Sequence, residues 1–306
     1  MAFSPDSTKL AVAQSDNIVF VYKLGLEWGE KKSICNKFLQ SNAGITCITW
    51  PLEQPNELVF GLTDGTVKVG IVRSNKGQKL YATESYVTSL CSSPDGHAVL
   101  SGHVDGSIYR FCFDDSSGPA HIRLAMHTAV PQALAWGENI VAAGNDGKVV
   151  FYDTEGQVCQ LFDYSQDLAS LKEFTTAAFN PSGESVVLGA FNRLQVFNLN
   201  ISRNLWEEAG VKQVENLYST TAMSWKADGS RLAIGSLAGA VMNATPPRFG
   251  RSERRTGASD GASLNDISPS SSVAAGAPSR AAMAGSRAGA ATAGSAATLG
   301  IICYLL

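Results

Sequence analysis

Between residues 1 and 243, apolar residues fall in short runs broken by clusters of Gly, Asn, Asp and Ser, which is the pattern of strands and tight turns. Six times an apolar run, a small residue, a polar turn and a second apolar run follow one another. The copies read KLAVAQSDNIVFVY from Lys9, ELVFGLTDGTVKVGIV from Glu57, AVLSGHVDGSIYRFCF from Ala98, IVAAGNDGKVVFYD from Ile140, SVVLGAFNRLQVFN from Ser185 and RLAIGSLAGAV from Arg231. Their small residues, Ala13, Gly61, Gly102, Gly144, Gly189 and Gly235, lie 48, 41, 42, 45 and 46 residues apart. A period of this length, varying only as loops vary, predicts an all-β propeller of about six repeats.

A second marker keeps the same register. The residue that ends the strand before each copy is Phe3, Trp50, Ser92, Trp136, Phe179 or Trp225, aromatic in every copy but one. The turns contain Asp16, Asp64, Asp105 and Asp146, each followed by the Asn or Gly that a hairpin turn needs where φ is positive. Six residues beyond those aspartates stand Tyr22, Gly70, Phe111 and Tyr152, the last followed by Asp153; in the fifth copy Phe191-Asn192 replaces the Asp-Gly pair and Phe197-Asn198 follows. Tyr152-Asp153 occupies the place of the Trp-Asp dipeptide of a WD40 repeat, and the whole pattern resembles that family with degenerate signatures.

The register runs out at both ends. Met1 to Phe3 supplies only the end of a strand, and the sixth copy breaks off near Val241. Residues 1–243 are therefore expected to form a partial propeller with four complete central blades and an open or strained ring. From Ala244 to Leu306 the composition changes: of 63 residues, 15 are Ala, 10 Ser and 8 Gly. Such a segment buries too little apolar area to offset chain entropy, so 244–306 is expected to be a disordered tail. The abrupt switch has the form of sequence translated out of frame or through an intron.

Charge narrows the partners. The tail holds six arginines and three acids, leaving 18 basic against 24 acidic residues before it. A propeller near −6 is a poor match for nucleic acid. The six cysteines form no CxxC pair and read as reduced and mostly buried. No segment is long and apolar enough to span a membrane, and the chain ends Cys303-Tyr304-Leu305-Leu306, a short match to a prenylation box at Cys303.

Candidate chemistry is sparse. There is no GxxxxGK[ST] loop, HExxH helix, GxSxG elbow or zinc-spaced Cys/His set, so no cofactor, metal or small-molecule substrate is expected and the chain does not read as an enzyme. His127 aligns with the histidine that precedes the first strand of WD40 blades, and the resemblance implies a buried network in which it pairs with Asp146; a catalytic dyad and a solvated histidine are the other readings. Asp64 and Asp105, one blade apart, read as turn residues rather than metal ligands. Trp50, Trp136 and Trp225 read as core. Trp28 and Trp206, in LEWGEKK and NLWEEAG, fall outside the repeat core and are expected in long exposed loops, where they become candidate partner contacts.

The loops carry more than the fold. Stretches such as AFSPDSTKLAVAQSDNIVFVYKLGLEWGEKKSICNKF, LFDYSQD, EFTTAAFNPSGESVVLGAFNRLQVFN and NLYSTTAMSWKADGSRLAIGSLAGAV resemble the first propeller of the large, one-hundred-and-seventy-two-kilodalton subunit family of the intraflagellar transport B complex, from Met1 to about Val241. That resemblance implies a non-enzymatic scaffold of cilium assembly. It would bind other complex B subunits and reside on the cytoplasmic side of the cilium or flagellum and at the basal body. A generic WD40 binding module, a coat-like scaffold and a mispredicted gene fragment without independent function are the alternatives.

Overall fold

A computed structural model describes residues 1–25, 30, 33–113, 120–166 and 173–244. They form 23 strands in six antiparallel sheets, each wound in chain order from an inner to an outer strand. The first sheet comprises β1 (Ala2–Phe3), β2 (Lys9–Ala13), β3 (Ile18–Lys23) and β4 (Ser33–Leu39). The second comprises β5 (Ile45–Thr49), β6 (Glu57–Leu62), β7 (Thr66–Ile71) and β8 (Lys76–Ala82); the third, β9 (Val87–Ser92), β10 (Ala98–His103), β11 (Ser107–Cys112) and β12 (His121–Met126). The fourth comprises β13 (Ala133–Trp136), β14 (Ile140–Ala143), β15 (Lys148–Tyr152) and β16 (Val158–Asp163); the fifth, β17 (Thr176–Phe179), β18 (Ser185–Ala190), β19 (Arg193–Asn200) and β20 (Leu205–Gln213). β21 (Thr220–Trp225), β22 (Leu232–Ser236) and β23 (Val241–Ala244) make the sixth, three-stranded among the described residues. This is the propeller that the period predicts, of the WD40 type that the strand-end and turn markers resemble. The inner strands β5, β9, β13, β17 and β21 pack in succession around the axis.

The second to fifth sheets each lie between two others, which explains the continuous apolar runs. In β14, Val141 and Ala143 join Val186, Leu188 and Phe197 of the fifth sheet, while Ile140 and Ala142 join Leu100, Ile108 and Leu124 of the third. In β6, Leu58 and Phe60 face Val19 and Phe38, and Val59 faces Val87 and Val99. Alternate residues thus point to different neighbours, and both sets are apolar. Five such cores join the six sheets in series. The outer strands have a free side and alternate instead, as in β16, where the residues are exposed or half-buried.

The small register residues answer to close approach. A Cβ on Gly61 would collide with Val87 at the start of β9, one on Gly102 with Ser89 and Pro131, and one on Gly189 with Thr176 and Thr220. The second strand of each of these sheets ends where the next inner strand begins. Gly70, which stands where other copies carry an aromatic, leaves room for the Phe38 ring of the first sheet. Backbone conformation is the requirement only in the turns, as at Asn17 (φ 62°) and Gly106 (φ 89°).

Gly102→Val is expected to lower stability by about 1–3 kcal/mol through overpacking, whereas Gly77→Ala on β8, where a Cβ meets nothing within 4 Å, is expected to be near neutral. Urea unfolding of the two variants checks this; equal midpoints would refute the close-approach explanation.

Candidate interaction site

The hairpin turns joining each second strand to the third lie at one end of the ring. There the carboxylates Asp64, Asp105 and Asp146 accept the backbone N–H two residues on, from Thr66 at 2.9 Å, Ser107 at 3.0 Å and Lys148 at 3.2 Å. These are Asx turns, and the three carboxylates stay one sheet apart. Burial pulls Asp105 up, but hydrogen bonds from Ser107 and Ser85 outweigh it and hold the carboxyl below the usual range. Asp153 stands apart from them: it closes the turn at the far end of β15, accepting N–H groups of Glu155 at 3.0 Å and Gln157 at 2.7 Å. No group of three or more His, Cys, Asp and Glu among the described residues is arranged to hold a metal.

Of the six residues expected in the blade network, the structure brings together His127, Tyr152 and Asp146. His127 is buried, with Nδ1 3.2 Å from the Tyr152 hydroxyl. Its Nε2 lies 3.8 Å from Asp146 Oδ1, beyond hydrogen-bond range, and has no hydrogen-bond partner. The Thr128 hydroxyl donates to Asp146 Oδ2 instead. The contact to Asp146 is therefore a Coulombic one, and the hydrogen bond of the imidazole goes to Tyr152. Burial pushes the His127 pKa below its ordinary value against the pull of Asp146, and pushes Tyr152 up to about 12.

A tighter network sits one sheet away and is built on His103. The Tyr81 hydroxyl donates to Ser101 Oγ at 2.7 Å, Ser101 Oγ lies 2.7 Å from His103 Nε2, and His103 Nδ1 lies 2.8 Å from the Ser85 carbonyl oxygen. A carbonyl can only accept, so Nδ1 carries the proton and Nε2 accepts from Ser101. The chain of donors runs one way from β8 through β10 to the loop after β8. Ser101 and His103 are spaced i, i+2 on a strand and share a face, which is the signal in the sequence that could have found them. The Ser–His contact is wholly buried and serves packing rather than chemistry.

Trp206 corrects an expectation. It is not in an exposed loop but on β20, only 3% exposed, stacked on Phe151 with ring centroids 4.5 Å apart. Its indole N–H donates to Asn139 Oδ1 at 3.0 Å, and the Gln160 side-chain amide clamps its backbone N–H and C=O from β16. Burying an aromatic ring is worth about 1.5–3 kcal/mol, more than an exposed contact returns, so Trp206 is fixed in the core between the fourth and fifth sheets. Trp28 and Cys303 lie outside the described residues. Of the cysteines, Cys35 and Cys159 are exposed rather than buried, while burial pushes Cys47 up to about 11 and Cys91 to about 12.

At the opposite end of the ring the inner strands finish at Trp50, Trp136, Phe179 and Trp225, which line a cavity of about 560 Å³. Trp50 is buried as expected, but Trp136 and Trp225 are half-exposed to this cavity as well as packed in the core. Among the described residues no helix is long and apolar enough to cross a membrane.

Because burial depresses the pKa of both His103 and His127, the unfolded chain takes up protons that the folded one does not. Stability is expected to hold above neutral pH and to fall as pH drops below about 6.5, by up to roughly 1.4 kcal/mol per pH unit for each histidine. The Asp carboxylates add their loss only below about pH 4. Unfolding midpoints measured from pH 7.5 to 5 check this: the double variant His103→Gln, His127→Gln should lose the slope in that window, and an unchanged slope would refute it.

Residues 74–111 match the family model of the WD domain, G-beta repeat. The chain is 53% identical over 247 residues to intraflagellar transport protein 172 of Chlamydomonas reinhardtii, 53% over 243 residues to the Mus musculus homologue, and 36% over 244 residues to intraflagellar transport protein osm-1 of Caenorhabditis elegans. Each alignment covers 79% of this chain, and the chain spans 14% of the length of these relatives. Over that 79% of its length, the chain is a WD40-type propeller that resembles the intraflagellar transport 172 proteins.

Proposed function

We propose that this propeller is a non-enzymatic interaction scaffold of intraflagellar transport. It engages other subunits of transport complex B in the assembly and maintenance of the cilium or flagellum, on the cytoplasmic side of that organelle and at its basal body. The similarity to the 172 proteins carries the reading. Identity of 53% over 247 residues amounts to roughly 130 identical positions, more than the buried residues of the described chain can supply. The shared positions therefore extend onto the surface, where a propeller meets its partners, and are not only those that keep any propeller folded. The polar side chains that the sequence singles out are occupied with turns and inter-sheet hydrogen bonds, which suits a rigid platform presenting broad faces to other proteins.

A tagged copy of the full chain expressed in a flagellate cell tests the proposal. It is expected to co-sediment with complex B subunits in the extracted flagellar matrix. Sedimentation at the size of the free chain, or with coat proteins of the cell body, would refute it.

A further inference from the structure

The cavity at the tryptophan end of the ring belongs to none of the networks above. Three indoles and a phenyl ring line it. Two of the indoles are held in place by hydrogen bonds, Trp50 Nε1 donating to the Gln54 carbonyl at 3.0 Å and Trp225 Nε1 to the Ala178 carbonyl of the fifth sheet at 3.1 Å. Aromatic walls fixed in advance lose little freedom when something enters between them. Of the lining residues, Glu138 alone is ionisable, and it is exposed. The cavity thus pairs aromatic faces with one carboxylate and no cation.

The surrounding rim has the same sign. The turns from each inner strand to the second strand carry Asp6, Glu53, Asp95, Glu138, Glu184 and Asp228 against Lys226 and Arg231, with Lys9 and Glu57 opening the strands that follow two of them. Both lysines are engaged by neighbouring acids, Lys9 with Asp6 at 3.6 Å and Lys226 with Asp228 at 2.6 Å. The field at this mouth therefore favours a cation, and the negative faces of the indoles favour one that stacks.

We infer that this end of the propeller is a docking site for an arginine side chain presented by an extended segment of a protein partner. The guanidinium lies against the indole faces, and its N–H groups meet the Glu138 carboxylate. The volume accommodates a side chain with its flanking backbone, and the polar turn at residues 180–183 edges the cavity beside the peptide. The site lies at the far end of the ring from the Asx turns and from His127. The inference rests on the scaffold reading only for the premise that the propeller binds protein.

The test uses the full chain and the hexapeptide Gly-Arg-Gly-Gly-Arg-Gly, followed by tryptophan fluorescence, since three indoles line the site. Titration is expected to saturate with a fluorescence change, and replacing arginine by citrulline, which keeps the shape and removes the charge, should weaken binding at least tenfold. Glu138→Gln, at an exposed position that packing does not use, should weaken it by a similar factor, while Glu215→Gln at the other end of the ring should leave it unchanged. Failure of the arginine peptide to bind, equal binding of the citrulline peptide or of one with glutamate in place of arginine, or an undiminished affinity in Glu138→Gln would each overturn the site. The flagellar sedimentation result is independent of this titration, so the two readings fail separately.

Discussion

No sheet of this protein has a core of its own. Each is a single layer whose two faces must be covered by other sheets, and everything regular about the molecule follows from that requirement. The second and third strands, covered on both sides, are apolar at successive positions; Val141 and Ala142 are both fully buried yet belong to different cores. The outer strands, covered on one side, alternate exposed with sheltered positions, as in β4 and β12. The ends of the second strands must let the next inner strand pass, which is why glycine recurs there and why its spacing is the repeat period. A side chain at Gly61 or Gly189 would hold two sheets apart, and no hydrogen bond of about 1 kcal/mol offsets the burial lost across such a gap.

Legibility in the sequence tracks this division. Strands, turns and inter-sheet spacing were readable because each obeys a local rule: alternation, a positive φ at Asn17 or Gly106, a missing Cβ at Gly102. What depends on which neighbour a side chain meets was not readable. Trp206 sits among Glu207, Glu208 and other polar residues, so its segment looks like a solvated loop; its partners, Phe151, Asn139 and Gln160, are 46 to 67 residues away in the sequence. The register of His127 was clear, but its neighbour Thr128 takes the acceptor that His127 was expected to use, and Tyr152 takes the imidazole. Its mirror case, His103, carried no repeat marker at all, and only the i, i+2 spacing from Ser101 hinted at a shared face.

The two ends of the ring divide the work. At one end, Asp64, Asp105 and Asp146 each accept a turn N–H, and the imidazoles of His103 and His127 are buried and hydrogen-bonded to the Ser85 carbonyl and the Tyr152 hydroxyl. At the other, the aromatic residues that mark the repeat register are only partly used by packing; Asp6, Asp95 and Asp228 cap turns there too, while Glu138 stands exposed at the mouth. The same strand-end position therefore serves as structural punctuation in the sequence and as lining of a mouth in the fold. Ser92, the one non-aromatic member of the series, also lines that mouth.

The serial arrangement of cores bears on how the chain is made. Each sheet after the first emerges from the ribosome with one face covered by its predecessor and, up to the fifth, the other bare until the next repeat follows. With repeats of 41 to 48 residues and synthesis at about 5–20 residues per second, that bare face waits roughly 2 to 10 s. The most recently made sheet is always the unfinished one, and Phe151 or Val187 stays open to solvent or to a chaperone for the time it takes to translate one more period. Folding of this molecule is thus paced by translation, one sheet behind the growing end.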